Sequence, residues 1–156
     1  MKEKPGILVV DDDENDLRLI DLALKLGAHP PTVRYLHDGG EALDYLHARG
    51  SYKDDAECPA FILLDLHMPR IDGWEVLKQI KSDERLRWIP VVIFSSSARD
   101  ADVRHCYELG ANAYVVKPID YDDFQRTITG ITSFWSDCNH SLRPLVPDAF
   151  PPHPIA

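Results

Sequence analysis

The stretch from residue 61 to residue 73 constrains the fold more than any other part of this 156-residue chain. Its four apolar residues, Phe61–Leu64, run directly into Asp65, and Pro69 and Gly73 then break the chain. A continuous apolar run this short is typical of a strand buried on both faces, as in a parallel sheet. Asp65 would then lie at the carboxyl end of that strand, the edge at which open α/β sheets bind ligands. A lone aspartate there is more often only a cap or turn residue, so the rest of the chain decides between the two interpretations.

Four more short stretches predict strands, and segments of helical periodicity separate them. The stretches cover residues 7–10, 33–36, 91–94 and 113–116, and all except 33–36, which contains Arg34, are continuous apolar runs. Five strands that alternate with five helices predict a parallel sheet with helices on both faces, a doubly wound α/β fold. Because the crossovers in such folds are right-handed, few topologies are possible, and we expect the strand order 2-1-3-4-5.

The composition describes one ordinary globular domain in a reducing compartment. The apolar fraction of 44% and the charged fraction of 28% are average values. A formal charge of −9 argues against nucleic-acid binding, which requires a basic surface. The three cysteines are scattered and no apolar run reaches membrane-spanning length. We therefore expect a cytoplasmic protein with neither a zinc site nor a membrane segment.

The chain is predicted to consist of one folded domain and a tail. We expect the domain to cover residues 6–135, ending with a last helix that runs to about Trp135. Residues 136–156 contain five prolines and lack periodicity, which predicts a disordered or loosely docked tail. No separate output domain fits in this remainder.

Polar side chains that follow four of the five strands fit a single chemistry. Asp11 and Asp12 follow strand 1, Asp65 follows strand 3, Ser95 follows strand 4, and Lys117 follows strand 5. Strands 1 and 3 are neighbours in the predicted order, so their carboxylates would converge and repel one another unless a cation neutralises them. Mg²⁺ is favoured because it takes hard oxygen ligands, keeps several waters and bridges to phosphate. A lysine and a hydroxyl can bind the remaining phosphoryl oxygens, and aspartate is a nucleophile that forms aspartyl phosphates.

Each of these residues also has an ordinary structural explanation. The aspartates 11–13 can form a solvated turn whose last member caps the next helix. Lys117 can be a surface charge, as most lysines are, and Ser95 can belong to a cap of the helix that follows it. Their joint placement at the ends of consecutive buried strands favours the functional interpretation.

A set of short motifs gives the chain a specific resemblance. The motifs are Leu8-Val9-Val10-Asp11-Asp12, Leu64-Asp65-Leu66-His67-Met68-Pro69, Asp72-Gly73, Phe94-Ser95 and Tyr114-Val115-Val116-Lys117-Pro118. In this order they resemble the receiver domain of two-component response regulators, which has a flavodoxin-like (βα)5 fold, over about residues 6–135. The insertion at residues 51–58 and the Phe134-Trp135 ending are more similar to the single-domain regulators partnered with bacterial and cyanobacterial phytochromes.

The resemblance implies a phosphoacceptor with a bound metal ion. Asp65 would accept a phosphoryl group from a phosphohistidine on a sensor histidine kinase, for which a bacteriophytochrome is a candidate. The side chains of Asp12 and Asp65 and the backbone carbonyl of His67 would ligate Mg²⁺, while Asp11 would reach the ion through water. Mn²⁺ is expected to substitute for Mg²⁺. An imidazole ligand at His67 is the less favoured alternative.

The resemblance also assigns a switch around the phosphoryl group. Lys117 would pair with the phosphoryl oxygens and the hydroxyl of Ser95 would close onto them. Tyr114 would turn inward when that hydroxyl moves, and Ser97 would tune hydrolysis of the aspartyl phosphate. Family members hold the peptide before the matching proline in cis, so we expect a cis peptide bond before Pro118.

The expected output is a change in protein contacts. The face formed by the fourth helix, the fifth strand and the fifth helix would change shape on phosphorylation. It would signal to a downstream protein, to a phosphotransfer protein or to a second copy of the chain. Phe134 and Trp135 are candidate interface anchors, and packing beneath the tail is the alternative for this pair. The chain would catalyse at most its own phosphorylation and dephosphorylation.

Two other classes of protein compete with this interpretation. A phosphatase of the haloacid-dehalogenase type shares the aspartyl-phosphate chemistry and would use a nucleophile among residues 11–13, but the residues expected after such a nucleophile and a cap domain are missing from the sequence. A receiver-like scaffold would bind partners without phosphorylation. Such a scaffold would need none of the polar site residues, namely Asp11, Asp12, Asp65, Ser95 and Lys117.

Overall fold

The computed structural model describes residues 6–142. The strands are β1 (Ile7–Val10), β2 (Val33–Leu36), β3 (Phe61–Leu64), β4 (Val91–Ser95) and β5 (Ala113–Val116). The helices are α1 (Glu14–Lys25), α2 (Gly39–Leu46), α3 (Gly73–Ser82), α4 (Asp100–Glu108) and α5 (Tyr121–Thr132). A 3₁₀ turn (Gly50–Tyr52) follows α2, and a π-helical segment (Ser133–Cys138) continues α5. None of the helices in the described part of the chain is long and apolar enough to cross a membrane.

The five strands form one parallel sheet in the order β2-β1-β3-β4-β5, which confirms the predicted topology. The register aligns the strand ends, because Val10 of β1 lies level with Leu64 of β3. The backbone N–H of Asp65 donates to the carbonyl of Val10 across 2.9 Å. The residues that follow these two strands therefore begin at the same height on the sheet edge.

Alternate residues of each central strand pack into two separate hydrophobic layers, one on each face of the sheet. One layer lies beneath α1 and α5, and the other lies beneath α2, α3 and the buried Cys106 of α4. Strand β3 shows the arrangement most clearly, because Phe61 and Leu63 belong to the first layer and Ile62 and Leu64 belong to the second. A strand of this kind must be apolar throughout, which explains the uninterrupted run of four apolar residues.

Aspartate side chains start four of the five helices and fix the loops that leave the sheet edge. Asp13, Asp38, Asp72 and Asp120 are N-cap residues whose carboxylates accept backbone N–H groups of the first turn. The predicted cap at Asp13 is confirmed, since its Oδ1 accepts from Asn15 at 2.8 Å and from Asp16 at 3.2 Å. Its carboxylate therefore faces the helix, and only the other two aspartates of the run are directed to the sheet edge.

The two aromatic residues after α5 differ in their surroundings. Trp135 packs against the layer beneath α1 and α5, while Phe134 is 52% exposed. Their rings meet edge to face, with centroids 4.9 Å apart. Phe134 thus remains the candidate interface anchor of the pair. Residues 143–156, the larger part of the predicted proline-rich tail, lie outside the described residues.

The peptide bond between Lys117 and Pro118 is trans, since no peptide bond within residues 6–142 is cis. The predicted cis bond is therefore wrong for this structure. The trans isomer of an X-Pro bond is intrinsically favoured by about 0.5–1 kcal/mol. The residue after the proline, Ile119, has a fully exposed side chain.

Lys81 joins three segments at the edge of the sheet opposite the strand ends that carry the aspartates. Its Nζ donates to the carbonyls of Arg87 and Ile89 at 3.0 and 2.8 Å and to Oδ1 of Asn112 at 3.0 Å. That same Oδ1 accepts the backbone N–H of Val91 at 2.9 Å. Burial lowers the pKa of Lys81 to about 8. The side chain thus ties the end of α3 to the starts of β4 and β5.

Replacing Lys81 with methionine is expected to lower the free energy of unfolding by about 1–3 kcal/mol, because three acceptors lose a charged donor and one of them is the carbonyl of the buried Ile89. Urea unfolding followed by far-UV circular dichroism measures the difference. Lys78→Met is the matched control, since Lys78 is an exposed residue of the same helix. Equal stability of the two variants would contradict a structural role for Lys81.

Candidate functional site

The carboxylates of Asp11, Asp12 and Asp65 converge at the carboxyl ends of β1 and β3, as predicted, and form what we call the acidic cluster. One oxygen from each carboxylate lies within 4.8 Å of the others. Asp11 and Asp65 are buried, whereas Asp12 is exposed, so the cluster opens to solvent on one side. Three carboxylate oxygens around an open position suit Mg²⁺, which takes a few protein ligands and keeps several waters.

The carboxylate of Asp65, the predicted phosphoryl acceptor, has a partner at each of its two oxygens. Oδ1 of Asp65 accepts the backbone N–H of Leu66 at 2.8 Å. Its Oδ2 faces the ammonium of Lys117 at 3.6 Å. One oxygen of Asp65 is therefore anchored to the backbone, and the other faces the ammonium group of Lys117.

Lys117 lies among the carboxylates of Asp11, Asp16 and Asp65, and Asp16 was not a predicted site residue. Its Nζ lies 2.7 Å from Oδ2 of Asp11 and 2.7 Å from Oδ2 of Asp16, and its side chain is only 10% exposed. Asp16 lies in the first turn of α1, where an acidic residue is favourable because of the helix dipole alone. It shares a helix face with the buried Ile20 four residues later, and that spacing is the signal that could have revealed it.

Burial and repulsion make the acidic cluster electrostatically strained. Burial, with a further contribution from Asp65, raises the pKa of Asp11 to about 7, even though Lys117 opposes the shift. Burial also raises the pKa of Asp65. Burial alone would lower the pKa of Lys117, but the nearby carboxylates outweigh it and raise that pKa. One lysine does not neutralise this site, and a divalent cation would.

Ser95 is fully buried at the end of β4, where its hydroxyl accepts the backbone N–H of Ser97 at 3.2 Å. The carbonyl of Ser97 accepts the hydroxyl of Tyr114 at 2.8 Å. Tyr114 is partly buried and packs against the hydrophobic layer beneath α2 and α3. The tyrosine therefore already points inward beneath the loop between β4 and α4.

The imidazole of His67 is directed away from the acidic cluster. The side chain is exposed, and its ring meets the indole of Trp74 edge-on, with centroids 5.3 Å apart. The metal-ligand group found within residues 6–142 consists of the acidic cluster alone. The less favoured prediction of an imidazole ligand thus receives no support from the geometry, and the role of the His67 carbonyl stays a prediction.

The fold and the site together define a class of protein. The sheet is a flavodoxin-like (βα)5 sheet, and the acidic cluster lies between β1 and β3, where the strand order reverses. That reversal is the topological switch point at which such sheets bind ligands. The chain is thus a flavodoxin-like α/β protein with a candidate cation site facing a buried lysine.

Comparison with known proteins identifies the family. The response regulator receiver domain matches residues 7–129. The probable methanogenesis regulatory protein FilR2 of Methanothrix harundinacea is 40% identical over 140 residues, which cover 88% of each chain. Response regulator Rcp1 of Synechocystis sp. is 39% identical over 129 residues, which cover 83% of this chain and 87% of Rcp1. The chain belongs to the response regulator receiver family, whose members are signalling proteins of two-component systems.

Two solved structures agree with the whole architecture. The phosphorylated cyanobacterial phytochrome response regulator RcpA superposes with a TM-score of 0.84 at 39% identity, covering 90% of this chain and 99% of RcpA. The Mn²⁺-bound form of Rcp1 superposes with a TM-score of 0.82 at 36% identity, covering 88% of this chain and 98% of Rcp1. The resemblance to phytochrome-associated regulators is thereby confirmed.

Proposed function

We propose that Asp65 accepts a phosphoryl group from a phosphohistidine of a sensor histidine kinase. The observation that carries the proposal is the position of its Oδ2, which lies 3.6 Å from Nζ of Lys117 at the edge of the acidic cluster. In this transfer Oδ2 forms a bond to phosphorus as the bond from phosphorus to the imidazole nitrogen breaks. The electron pair of the broken bond leaves with the imidazole. The phosphorylated form of RcpA supports an acceptor in a close relative.

The acidic cluster would hold Mg²⁺, with Asp12 and Asp65 as side-chain ligands, Asp11 acting through water, and the backbone carbonyl of His67 as a further ligand. The ion supplies positive charge that offsets the cluster and the phosphoryl oxygens. Mn²⁺ would substitute, which the Mn²⁺-bound form of Rcp1 supports. The donor set fits, because the carboxylate oxygens lie within 4.8 Å of one another.

The remaining residues would bind the phosphoryl group and transmit its presence. Lys117 would donate to one phosphoryl oxygen and the hydroxyl of Ser95 to another, while Ser97 would tune hydrolysis. Tyr114 would be held inward, so that the face formed by α4, β5 and α5 takes its signalling shape. Exposed apolar side chains already lie on these elements and their connections: Tyr107, Val116, Ile119 and Tyr121.

The partners follow from the family and from this face. The kinase would be a sensor histidine kinase of the bacteriophytochrome type, as the similarity to RcpA supports. The output would be a downstream protein, a phosphotransfer protein or a second copy that meets the α4, β5 and α5 face with Phe134 as an anchor. The signalling unit would be residues 6–135 together with the helical turn that continues to Cys138, acting in the cytoplasm with the rest of residues 136–156 as a tail.

The decisive experiment is intact mass spectrometry after incubation with Mg²⁺ and acetyl phosphate. Wild type should gain one phosphoryl group, and prior chelation of Mg²⁺ should prevent the gain. Asp65→Asn should gain none, because an amide oxygen is not a nucleophile here. Asp13→Asn is the control, since asparagine also caps helices and Asp13 lies outside the acidic cluster.

Other outcomes would favour the competing classes. An Asp65→Asn variant that still turns over acetyl phosphate would indicate a phosphatase with its nucleophile among residues 11–13. A wild type that gains no phosphoryl group and binds no fluoroberyllate, a stable phosphoryl mimic, would indicate a scaffold that works without phosphorylation.

A further inference from the structure

Ser97 connects the groups that would move during signalling. Its backbone N–H donates to the hydroxyl of Ser95 at 3.2 Å, and its carbonyl accepts the hydroxyl of Tyr114 at 2.8 Å. A fixed Ser97 therefore helps the loop between β4 and α4 to hold the serine and the tyrosine in place.

Asp102, a residue without an assigned role, fixes Ser97. The hydroxyl of Ser97 donates to Oδ2 of Asp102 at 2.5 Å. Arg99 holds the same carboxylate at both oxygens, with Nε 3.0 Å from Oδ2 and Nη2 3.1 Å from Oδ1. Asp102 is only 7% exposed although it lies in the first turn of α4. A bidentate arginine pair has a fixed geometry, so the carboxylate is a firm anchor for the serine.

The geometry points to Asp102 as a positioning residue that acts through Ser97 to pre-set the β4–α4 loop with Tyr114 turned inward. This inference rests on the proposed function, which assigns the inward tyrosine to the phosphorylated state. The hydrogen bonds from Ser97 and Arg99 hold the pKa of Asp102 below its usual range, so its carboxylate stays ionised in this arrangement.

Pre-setting the loop affects how strongly the site responds to a phosphoryl group. A ligand that binds one arrangement better than another loses apparent affinity in proportion to the fraction of molecules in the wrong arrangement. If Asp102 keeps the loop in the binding arrangement, the phosphoryl group does not have to order it. Loss of the anchor should then weaken binding of a phosphoryl mimic without changing the acidic cluster, to which Asp102 contributes no oxygen.

The test is the affinity of the full chain for fluoroberyllate in saturating Mg²⁺, measured by isothermal titration calorimetry. Asp102→Asn should weaken fluoroberyllate binding about 5- to 30-fold, within the range of typical coupling between sites. Its affinity for Mg²⁺ alone should stay within about twofold of wild type. Electrostatics alone predicts that Asp102→Asn would bind fluoroberyllate more tightly, because removal of a negative charge favours an anionic ligand.

Asp100→Asn is the matched control, since it removes one exposed carboxylate from the same first turn of α4. Ser97→Ala removes the hydroxyl but keeps the carbonyl that binds Tyr114, so it should reproduce the loss even if Asp102→Asn folds poorly. The double variant should lose no more than either single variant, because the two residues act through one contact.

Three results would overturn the inference. They are fluoroberyllate affinity in Asp102→Asn equal to that in Asp100→Asn, a parallel loss of Mg²⁺ affinity, and additive losses in the double variant. A wild type that binds no fluoroberyllate would instead overturn the proposed function, and this inference with it.

Discussion

Alanine in place of Gly73 is expected to lower the free energy of unfolding by about 3 kcal/mol or more, at the upper end of overpacking effects. A Cβ at this position would lie 2.1 Å from the carbonyl oxygen of Asp65 and 2.7 Å from Cα of Leu66. Both neighbours are backbone atoms, so no side chain can rotate to make room. The start of α3 or the end of β3 must move instead.

The same movement should disturb the acceptor. The backbone N–H of Gly73 donates to the carbonyl of Leu66 at 2.8 Å, and the N–H of Leu66 holds Oδ1 of Asp65. A shift of the peptide group of Leu66 therefore displaces the carboxylate of Asp65, the proposed phosphoryl acceptor. A Gly73→Ala protein that still folds should be phosphorylated by acetyl phosphate at least about tenfold more slowly, since misplacement by about 1 Å costs reactions up to 100-fold.

Gly130→Ala is the matched control for the alanine substitution. Gly130 lies inside α5, and a Cβ there would meet no atom within 4 Å. Alanine should stabilise this helix by about 0.5–1 kcal/mol, because glycine is the poorer helix former. Urea unfolding of both variants measures the difference. A harmless substitution usually changes stability by no more than about 0.5 kcal/mol. If Gly73→Ala stays within that range of wild type, the close contact of Gly73 with the backbone of Asp65 and Leu66 does not constrain residue 73 to glycine.

The sheet and the acidic cluster were predictable because they depend on short-range patterns. Apolar runs of four residues, such as Phe61–Leu64, are long enough for a strand and too short for a helix, and burial on both faces fixes a parallel sheet. Parallel strands present their carboxyl ends at one edge, so Asp11 and Asp65 had to lie near each other once β1 and β3 were neighbours.

The partners of Asp16 and Asp102 were not predictable in the same way, although the spacing of Asp16 from Ile20 indicates the inward face of α1. Each aspartate lies in the first turn of a helix, where an acidic residue already has a sufficient explanation in the helix dipole. Which partner its carboxylate reaches depends on how the helix is rotated on the sheet. For Asp102 it also depends on the path of the loop that brings Ser97 to it. Sequence patterns determine that a helix begins there, but they do not determine these tertiary distances.

The inward position of Tyr114 illustrates a second limit of sequence reasoning. The resemblance identified the tyrosine as part of a switch, but a switch residue has two allowed positions by definition. Which position is populated depends on small differences among contacts, such as the hydrogen bond from its hydroxyl to Ser97. The cis bond predicted before Pro118 failed for a related reason, since the two isomers differ by only about 0.5–1 kcal/mol.

Replacing Lys117 with methionine is expected to lower the free energy of unfolding by about 3–5 kcal/mol in the presence of a chelator at about pH 8, the usual cost of leaving a buried charge without its partner. The side chain keeps its length, but Asp11, Asp16 and Asp65 lose the ammonium between them. Urea unfolding measures the loss. Lys53→Met, at an exposed loop position, is the control and should leave stability within about 0.5 kcal/mol of wild type.

The deficit of Lys117→Met should shrink as pH falls and as Mg²⁺ is added. The pKa of Asp11 is raised from 3.8 to about 7 in the folded chain. A carboxyl group whose pKa is higher in the folded chain than in the unfolded chain stabilises the fold at pH values below its pKa in the unfolded chain. That stabilisation is lost as pH rises through its pKa in the folded chain. Removing the lysine raises the folded pKa of Asp11 above about 7, so protonation relieves the repulsion fully near pH 5 and progressively less as pH rises through that pKa. Mg²⁺ should restore part of the lost charge at pH 8. A deficit independent of both pH and Mg²⁺ would show that the variant lost packing around the lysine rather than neutralisation of its three carboxylates.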